Sequence, residues 1–510
     1  MKRFPLRSHL SGLWLAGMAT VVAASLVACG GGGSAATGTS SGSTATAQTY
    51  SGTVTGLGSI VVNGVRFSTT GADAADSDDP NQPYNQAFKL GTTVVVSGSV
   101  DSDGVNGQAA SIQVEGGVRG QISAGSFVFD TGSTTNGTLT VAGQLIKFDS
   151  NTVFDGEGTA NFTAAMLAAN NFTTNPIAVE VYGAVDATGA LVATRIEKKD
   201  PASLVYAIKG YVVNGTIDAT AKTFDMLIKR GLTLTQTVHV SYSGATVLPT
   251  GATLHDGVGV RVLSASDPAG QTSVTASKLL IKSDRGVNGS EAKLHGVVKT
   301  ITGTTWTIGD VTIDVSQSPI LRGFTSLSDV AVGTEVRVAG LFKDNVLTAK
   351  IVESDDYDHD HDGGGVKLFG VATGVDATAR TFSVQGVTVK VPSLLTLPTE
   401  GSYVEVIATQ INGVLTAVRI GSSETRPFEL FGTTLCTNGV TDLQGTFALT
   451  LPVNTVSVDG SAARIVVENL VDMSAATSPK TCLLEVKGNV TTVGGVKTIA
   501  ATRIEVKRRF

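Results

Sequence analysis

Aromatic residues make up only 5% of this chain and charged residues only 16%. Scarce rings exclude a stacking platform for nucleic-acid bases, which is built from aromatic side chains. A formal charge of −6 points the same way, because phosphate partners call for a basic face. No nucleic-acid partner is expected. Histidines number six, and the chain has no H-E-x-x-H, no Walker loop and no G-x-G-x-x-G following a strand. A carboxylate pair leaves no such signature. The expectation is therefore a non-enzymatic protein with no cofactor, the alternative being a hydrolase with an unrecognised carboxylate pair. Cysteine is rare too, at three residues.

What is plentiful is glycine, at 60 of 510 residues. With many Thr, Val and Ala, that mixture favours short strands and tight turns over helices. A chain of this length holds several domains. One long apolar stretch stands out, and it is N-terminal. "MKRFPLRSHLS" is a basic n-region and "GLWLAGMATVVAASLVA" an apolar h-region, together an export signal over 1–28. Its end, "LVAC" at 26–29, resembles the lipobox of bacterial lipoproteins. The resemblance implies diacylglycerol on the Cys29 thiol, cleavage before it and acylation of the new amine. Several acyl chains anchor stably where one does not. Gly30 after the Cys, rather than Asp, implies sorting to the outer membrane, with the chain facing the periplasm or the cell surface. Residues 29–49 then read as lipidated Cys and a flexible Gly/Ser/Thr/Ala tether, of reach roughly 25 Å. The G-x-S-x-G match at Gly38–Gly42 falls in this tether, without the strand and helix that motif needs.

Past the tether the chain repeats itself. "VATRIEKK" at 192–199 returns as "AATRIEVKRR" at 500–509. The blocks "AVEVYGAVDATGALVATRIEKK", "EVRVAGLFKDNVLTAKIVE", "YVEVIATQINGVLTAVRI" and "LLEVKGNVTTVGGVKTIAATRIEV" share a plan. Each is an alternating strand, a turn, and a second alternating strand. Looser copies occupy 93–115 and 257–282. The unit openings carry hairpin signals such as Val62-Asn63-Gly64-Val65, where Asn-Gly readily takes positive φ twice. Alternation places Trp306, Ile308, Val311, Ile313 and Val315 on one buried side. Each unit therefore reads as five short strands, the plan of an OB-like barrel, which also removes open sheet edges. "TAAMLAAN" at 163–170 reads as a short helix after a third strand.

The expected fold is all-β: a tandem array of about six small five-stranded OB-like β-barrel modules, the alternative being an open sandwich or a continuous β-solenoid. The modules span 50–117, 118–202, 203–288, 289–354, 366–424 and 425–510, with an Asp/His-rich linker at 355–365. The openings, the acidic loop "DAADSDD" and the ATRIE-type endings resemble a bacterial family called domain of unknown function 5666, strongest in the first unit and weak in the third and sixth. Its repeats occur in tandem in exported lipoproteins of Gram-negative bacteria. The resemblance implies architecture and location, and no activity.

Two sets of residues carry candidate chemistry. In "SDDYDHDHDGGG", Asp358, Asp360 and Asp362 alternate with His359 and His361. Carboxylates so spaced suit Ca²⁺, and imidazoles suit Zn²⁺, Cu²⁺ or Ni²⁺. The bidentate Glu of a calcium loop is replaced by Phe369, so this is no EF-hand. It is either a solvated linker or a divalent-metal site, and the latter would make the chain a periplasmic metal-binding lipoprotein. The other run, Asp73, Asp76, Asp78 and Asp79, reads as a water-exposed turn. Cys436 and Cys482 remain after lipidation, on strands that an OB-like barrel makes neighbours, and pair as a disulfide. His239 and His295 read as ordinary strand residues. The partners expected are a membrane, through the lipid, and an envelope polysaccharide or protein.

Overall fold

A computed structural model describes residues 48–510 except 85, 102–105, 157–161, 233, 283–288, 310, 355–365, 412–413, 423–427, 437–438, 452–454, 468–480, 494–495 and 510. The export signal, Cys29 and the Asp/His run 358–362 lie outside the described residues. The chain is all-β, and the one α-helix among the described residues, Ala164–Ala169, is where the sequence placed it, with Thr163 as N-cap.

The first module shows how a ring is made. β1 (Gln48–Leu57) pairs with β2 (Ile60–Val62), and β2 pairs with β3 (Val65–Ser68). After a hairpin of β4 (Asp73–Asp76) and β5 (Asp79–Pro83), β6 (Thr93–Val100) returns to β1. β7 (Asn106–Val114) then joins β6 to β3, antiparallel to the first and parallel to the second, closing five strands into a barrel. The turn between β2 and β3 needs positive φ at both positions, and Asn63 and Gly64 supply 50° and 80°. β1 begins at Gln48, two residues inside the stretch read as tether.

Five more rings repeat this order of pairing, each with one parallel pair between its third and fifth strands. In the ring built from Ser290–Thr302 onward, Trp306, Ile308, Val311, Ile313 and Val315 are all at most 2% exposed, the side that alternation selected. Burying each such side chain contributes about 1.5–3 kcal/mol.

The rings are not strung out along a thread. β1 pairs in parallel with Ser290–Thr302 of the fourth ring and with Val366–Val371 of the fifth, so rings one, four and five share a 19-stranded sheet. The second and third rings join through Ala207 opposite Arg119. Hydrophobic clusters follow suit: one runs through rings two and three, another through rings one and five.

A single irregularity recurs in the closing pair of five rings. At this place the fifth strand carries one residue with no cross-strand partner, Ala110, Thr194, Lys350, Val418 and Thr502, and the sixth ring has a second such skip at Lys507. These are β-bulges. Opposite four of them stands glycine, because the bulged strand's carbonyl crowds in. A Cβ on Gly183 would lie 1.9 Å from the Val192 oxygen, and one on Gly340 would lie 2.0 Å from that of Thr348. Gly340→Ala is therefore expected to cost about 3 kcal/mol or more, the range of large steric defects. Gly303→Ala, in open space at φ +60°, should cost about 1 kcal/mol from backbone strain alone. Urea unfolding followed by the fluorescence of Trp306, buried in the same ring, compares the two.

Candidate functional site

The bulge decides which side chains leave the barrel. In "ATRIE", Ala193 and Ile196 both reach the core although three residues apart, so Arg195 and Glu197 turn outward. Glu180, on the strand opposite, stands directly across from Glu197. The sixth ring repeats this with Ala501, Ile504, Arg503, Glu505 and Glu485. Two carboxylates facing each other across a ladder repel. Yet Glu180, Glu197, Glu485 and Glu505 are all 3% exposed or less, because each outward face is covered by another ring.

Around Glu180 three rings converge. Arg119 donates to its Oε1 at 2.8 Å and Arg261 of the third ring at 3.2 Å, while Gly117 N–H adds a third bond at 3.0 Å. Both arginines also pair with Asp78 of the first ring. Glu197 accepts from Lys89 of the first ring at 2.9 Å, from Lys199 at 2.7 Å and from Arg195 at 2.9 Å. Arg195 reaches the Leu90 carbonyl and pairs with Asp155. Burial pushes the Glu180 carboxyl up, but Arg119, Lys199 and the Gly117 amide outweigh it and hold it below the usual range. Glu197 is held low in the same way, by Arg195, Lys199 and Lys89. Burial pulls the Arg261 guanidinium down to about 10.

This network walls a cavity of about 330 Å³ between the first and second rings. Its lining includes Asp76, Tyr84, Lys89, Arg119, Glu180, Tyr182, Glu197, Lys199 and Asp200. Burial, then Glu180, raises Asp76 above the usual carboxylate range despite Arg261 and Arg119. Burial and the carboxylates Asp76 and Glu197 push the Tyr84 phenol up, and Glu180 and Glu197 do the same to Tyr182. Both phenols are therefore neutral hydrogen-bonding groups at ordinary pH.

On its other side the first ring is gripped by the sixth. Glu429, 2% exposed, accepts from Ser68 Oγ at 2.7 Å, Thr70 Oγ1 at 2.8 Å, Ser59 Oγ at 3.2 Å and Thr69 N–H at 3.2 Å. Thr69 Oγ1 also donates to Glu485, and Lys487 bonds Ser68 Oγ at 2.6 Å. Gly71 lies against the Arg503 guanidinium as Gly91 lies against Arg195. Both copies of ATRIE thus dock on the first ring.

Residues 51–113, 119–197 and 295–353 match the family model of a domain of unknown function, DUF5666. The chain carries tandem copies of this domain. No curated protein matches it. The matched segments fall on the first, second and fourth rings; the fifth, read with the others in sequence, lies outside them.

Within and beyond these DUF5666 copies the expected site residues fare differently. Cys436 and Cys482 form a disulfide, buried in the core of the sixth ring and joining its first and fourth strands. Cys29, Asp358, His359, Asp360, His361 and Asp362 lie outside the described residues, among which no group of three metal-ligating side chains occurs. His239 is an exposed strand residue against Asp225 at 2.9 Å, and His295 faces Glu335 at 3.1 Å. The acidic run corrects its reading as a water-exposed turn. Asp73–Asp76 and Asp79–Pro83 are strands, and Asp78 is drawn inward by two arginines of other rings. Arg119, Glu180, Arg261 and Glu429 went unrecognised as interface residues. A signal existed for two of them: Glu180, Arg261, Arg337, Glu405 and Glu485 stand at one position of the fourth strand, a charge recurring inside an apolar strand.

Removing Glu180 leaves buried Arg261 and half-buried Arg119 with Asp78 as their remaining carboxylate, so Glu180→Ala should cost about 3 kcal/mol, the low end of the range for a broken buried pair. The pH sign follows from the lowered carboxyls. Their stabilisation is complete above the unfolded value near 4.5 and is lost as pH falls through the lower folded values. Denaturation midpoints should be flat from pH 7 to 5 and drop below 4.5, with a shallower drop in Glu180→Gln.

Proposed function

We propose that the protein is a non-enzymatic cell-envelope lipoprotein, held at the outer membrane through Cys29, whose packed β modules bind a polar envelope ligand in the cavity between the first and second rings. The observation carrying this reading is the cavity's lining. Its lysines and its Arg119 are engaged in fixed ion pairs, which suits recognition by preset groups. OB-like barrels bind oligosaccharides through exposed rings, and among the described residues no aromatic side chain is exposed. A cavity that admits a chain end or a single unit is therefore favoured over a long surface groove. The basic n-region, apolar h-region and "LVAC" support export and lipidation.

Two measurements test this. Cys29→Ala should move the protein from the membrane pellet to the soluble fraction and abolish incorporation of labelled palmitate; unchanged pelleting and labelling would remove the anchor. Pull-down with purified envelope polysaccharides should capture at least one, and silence across all of them would remove the polysaccharide reading.

A further inference from the structure

The cavity is not electrically neutral. Four carboxylates line it, Asp76, Glu180, Glu197 and Asp200, against three cations, Lys89, Arg119 and Lys199. Adding Asp78 and Arg261 just behind the lining leaves that excess unchanged. Glu180 and Glu197 are fully engaged by the cations described above. Asp200 is exposed and caps the turn Pro201–Ser203. Asp76 matches Asp200 in accepting from a single backbone N–H and differs from it in burial. It is half-buried and takes one hydrogen bond, from the Asp78 N–H at 2.9 Å, and no ion-pair partner among the described residues. Of the two lining carboxylates without an ion pair, Asp76 is therefore the one withdrawn from bulk water, within a cavity that also presents two tyrosines. Its volume lies at the small end of ligand pockets, about 300–1,000 Å³.

Such a lining selects by chemistry. An anion would meet the net negative potential. A purely apolar ligand would strip water from seven charged groups and replace none of their hydrogen bonds. A ligand with a protonated amine would supply the cation that Asp76 lacks, and tyrosine rings favour an ammonium nearby. Hydroxyl groups on the same ligand match the Lys, Arg and phenol donors and the carboxylate acceptors around it.

We propose that this cavity recognises a hydroxyl-rich ring bearing a protonated primary amine, that is, an amino sugar, with Asp76 receiving the ammonium. The assignment rests on the binding reading above and names its ligand class. Titration calorimetry of the full mature chain with glucosamine, N-acetylglucosamine and glucose tests it. Glucosamine should bind about tenfold or more tighter than either neutral sugar, the discrimination expected of one charge-assisted bond. Asp76→Asn should remove that preference, while the control Asp79→Asn, at an exposed position, should keep it. Equal affinity for the three sugars, no detectable glucosamine binding, or a preference that survives Asp76→Asn would overturn the proposal. The wild-type sugar comparison stands even if the variant misfolds. Capture of an amine-free polymer without glucosamine binding sinks the amine assignment and leaves the binding reading; failure to bind any polymer or sugar sinks both.

Discussion

Glutamates facing each other across a β-ladder are an unfavourable pair, and this protein builds two of them, Glu180 with Glu197 and Glu485 with Glu505. Their repulsion is relieved by donors of their own ring, Arg119, Arg195 and Lys199 for the first pair and Arg503 for the second, and by further donors that other rings bring. Those further donors make the arrangement specific. The second ring must find Lys89, and Arg261 of the third must reach it. The sixth must find Ser68, Thr69 and Thr70. The carboxylate pairs act as sockets that their own ring satisfies in part and the right neighbour completes.

The sockets exist because of the bulge. A strict alternation would keep Ala193, Arg195 and Glu197 on one face. One unpartnered residue, Thr194, switches the register so that the small Ala and the large Ile share the core and the charges leave it. Glycine opposite accommodates the displaced carbonyl. Repetition of ATRIE three hundred residues apart therefore marks two modules that use the same strand to cover the same central ring.

The barrels were legible in the sequence because their signals are local. Turns at Asn63-Gly64, Ala142-Gly143 and Gln385-Gly386 all take positive φ twice, and the alternating Trp306–Val315 hairpin is buried as its pattern demands. The interfaces were legible only as a charge recurring at one position of the fourth strand, at Glu180 and Arg261 among others, with no partner indicated. Asp78 meets Arg119 and Arg261, 41 and 183 residues away, and nothing in a run of aspartates distinguishes the one that is buried. Outward charges on a strand look like a solvated face until the covering ring is known. The spacing Ala193 to Ile196, three rather than two, was the one local trace of the bulge.

Inserting one alanine between Tyr182 and Gly183, opposite Thr194, tests this account most directly. The insertion gives Thr194 a partner and straightens the ladder, which puts Arg195 and Glu197 back on the face of Ala193, since a one-residue slip exchanges the faces of a strand. The account predicts that the amides of 88–92 and 118–121 lose hydrogen-exchange protection together, while Thr194→Ala, which removes only its bond to the Gly91 carbonyl at 2.6 Å, costs about 1 kcal/mol and leaves them protected. Equal protection in the insertion and the substitution would contradict it.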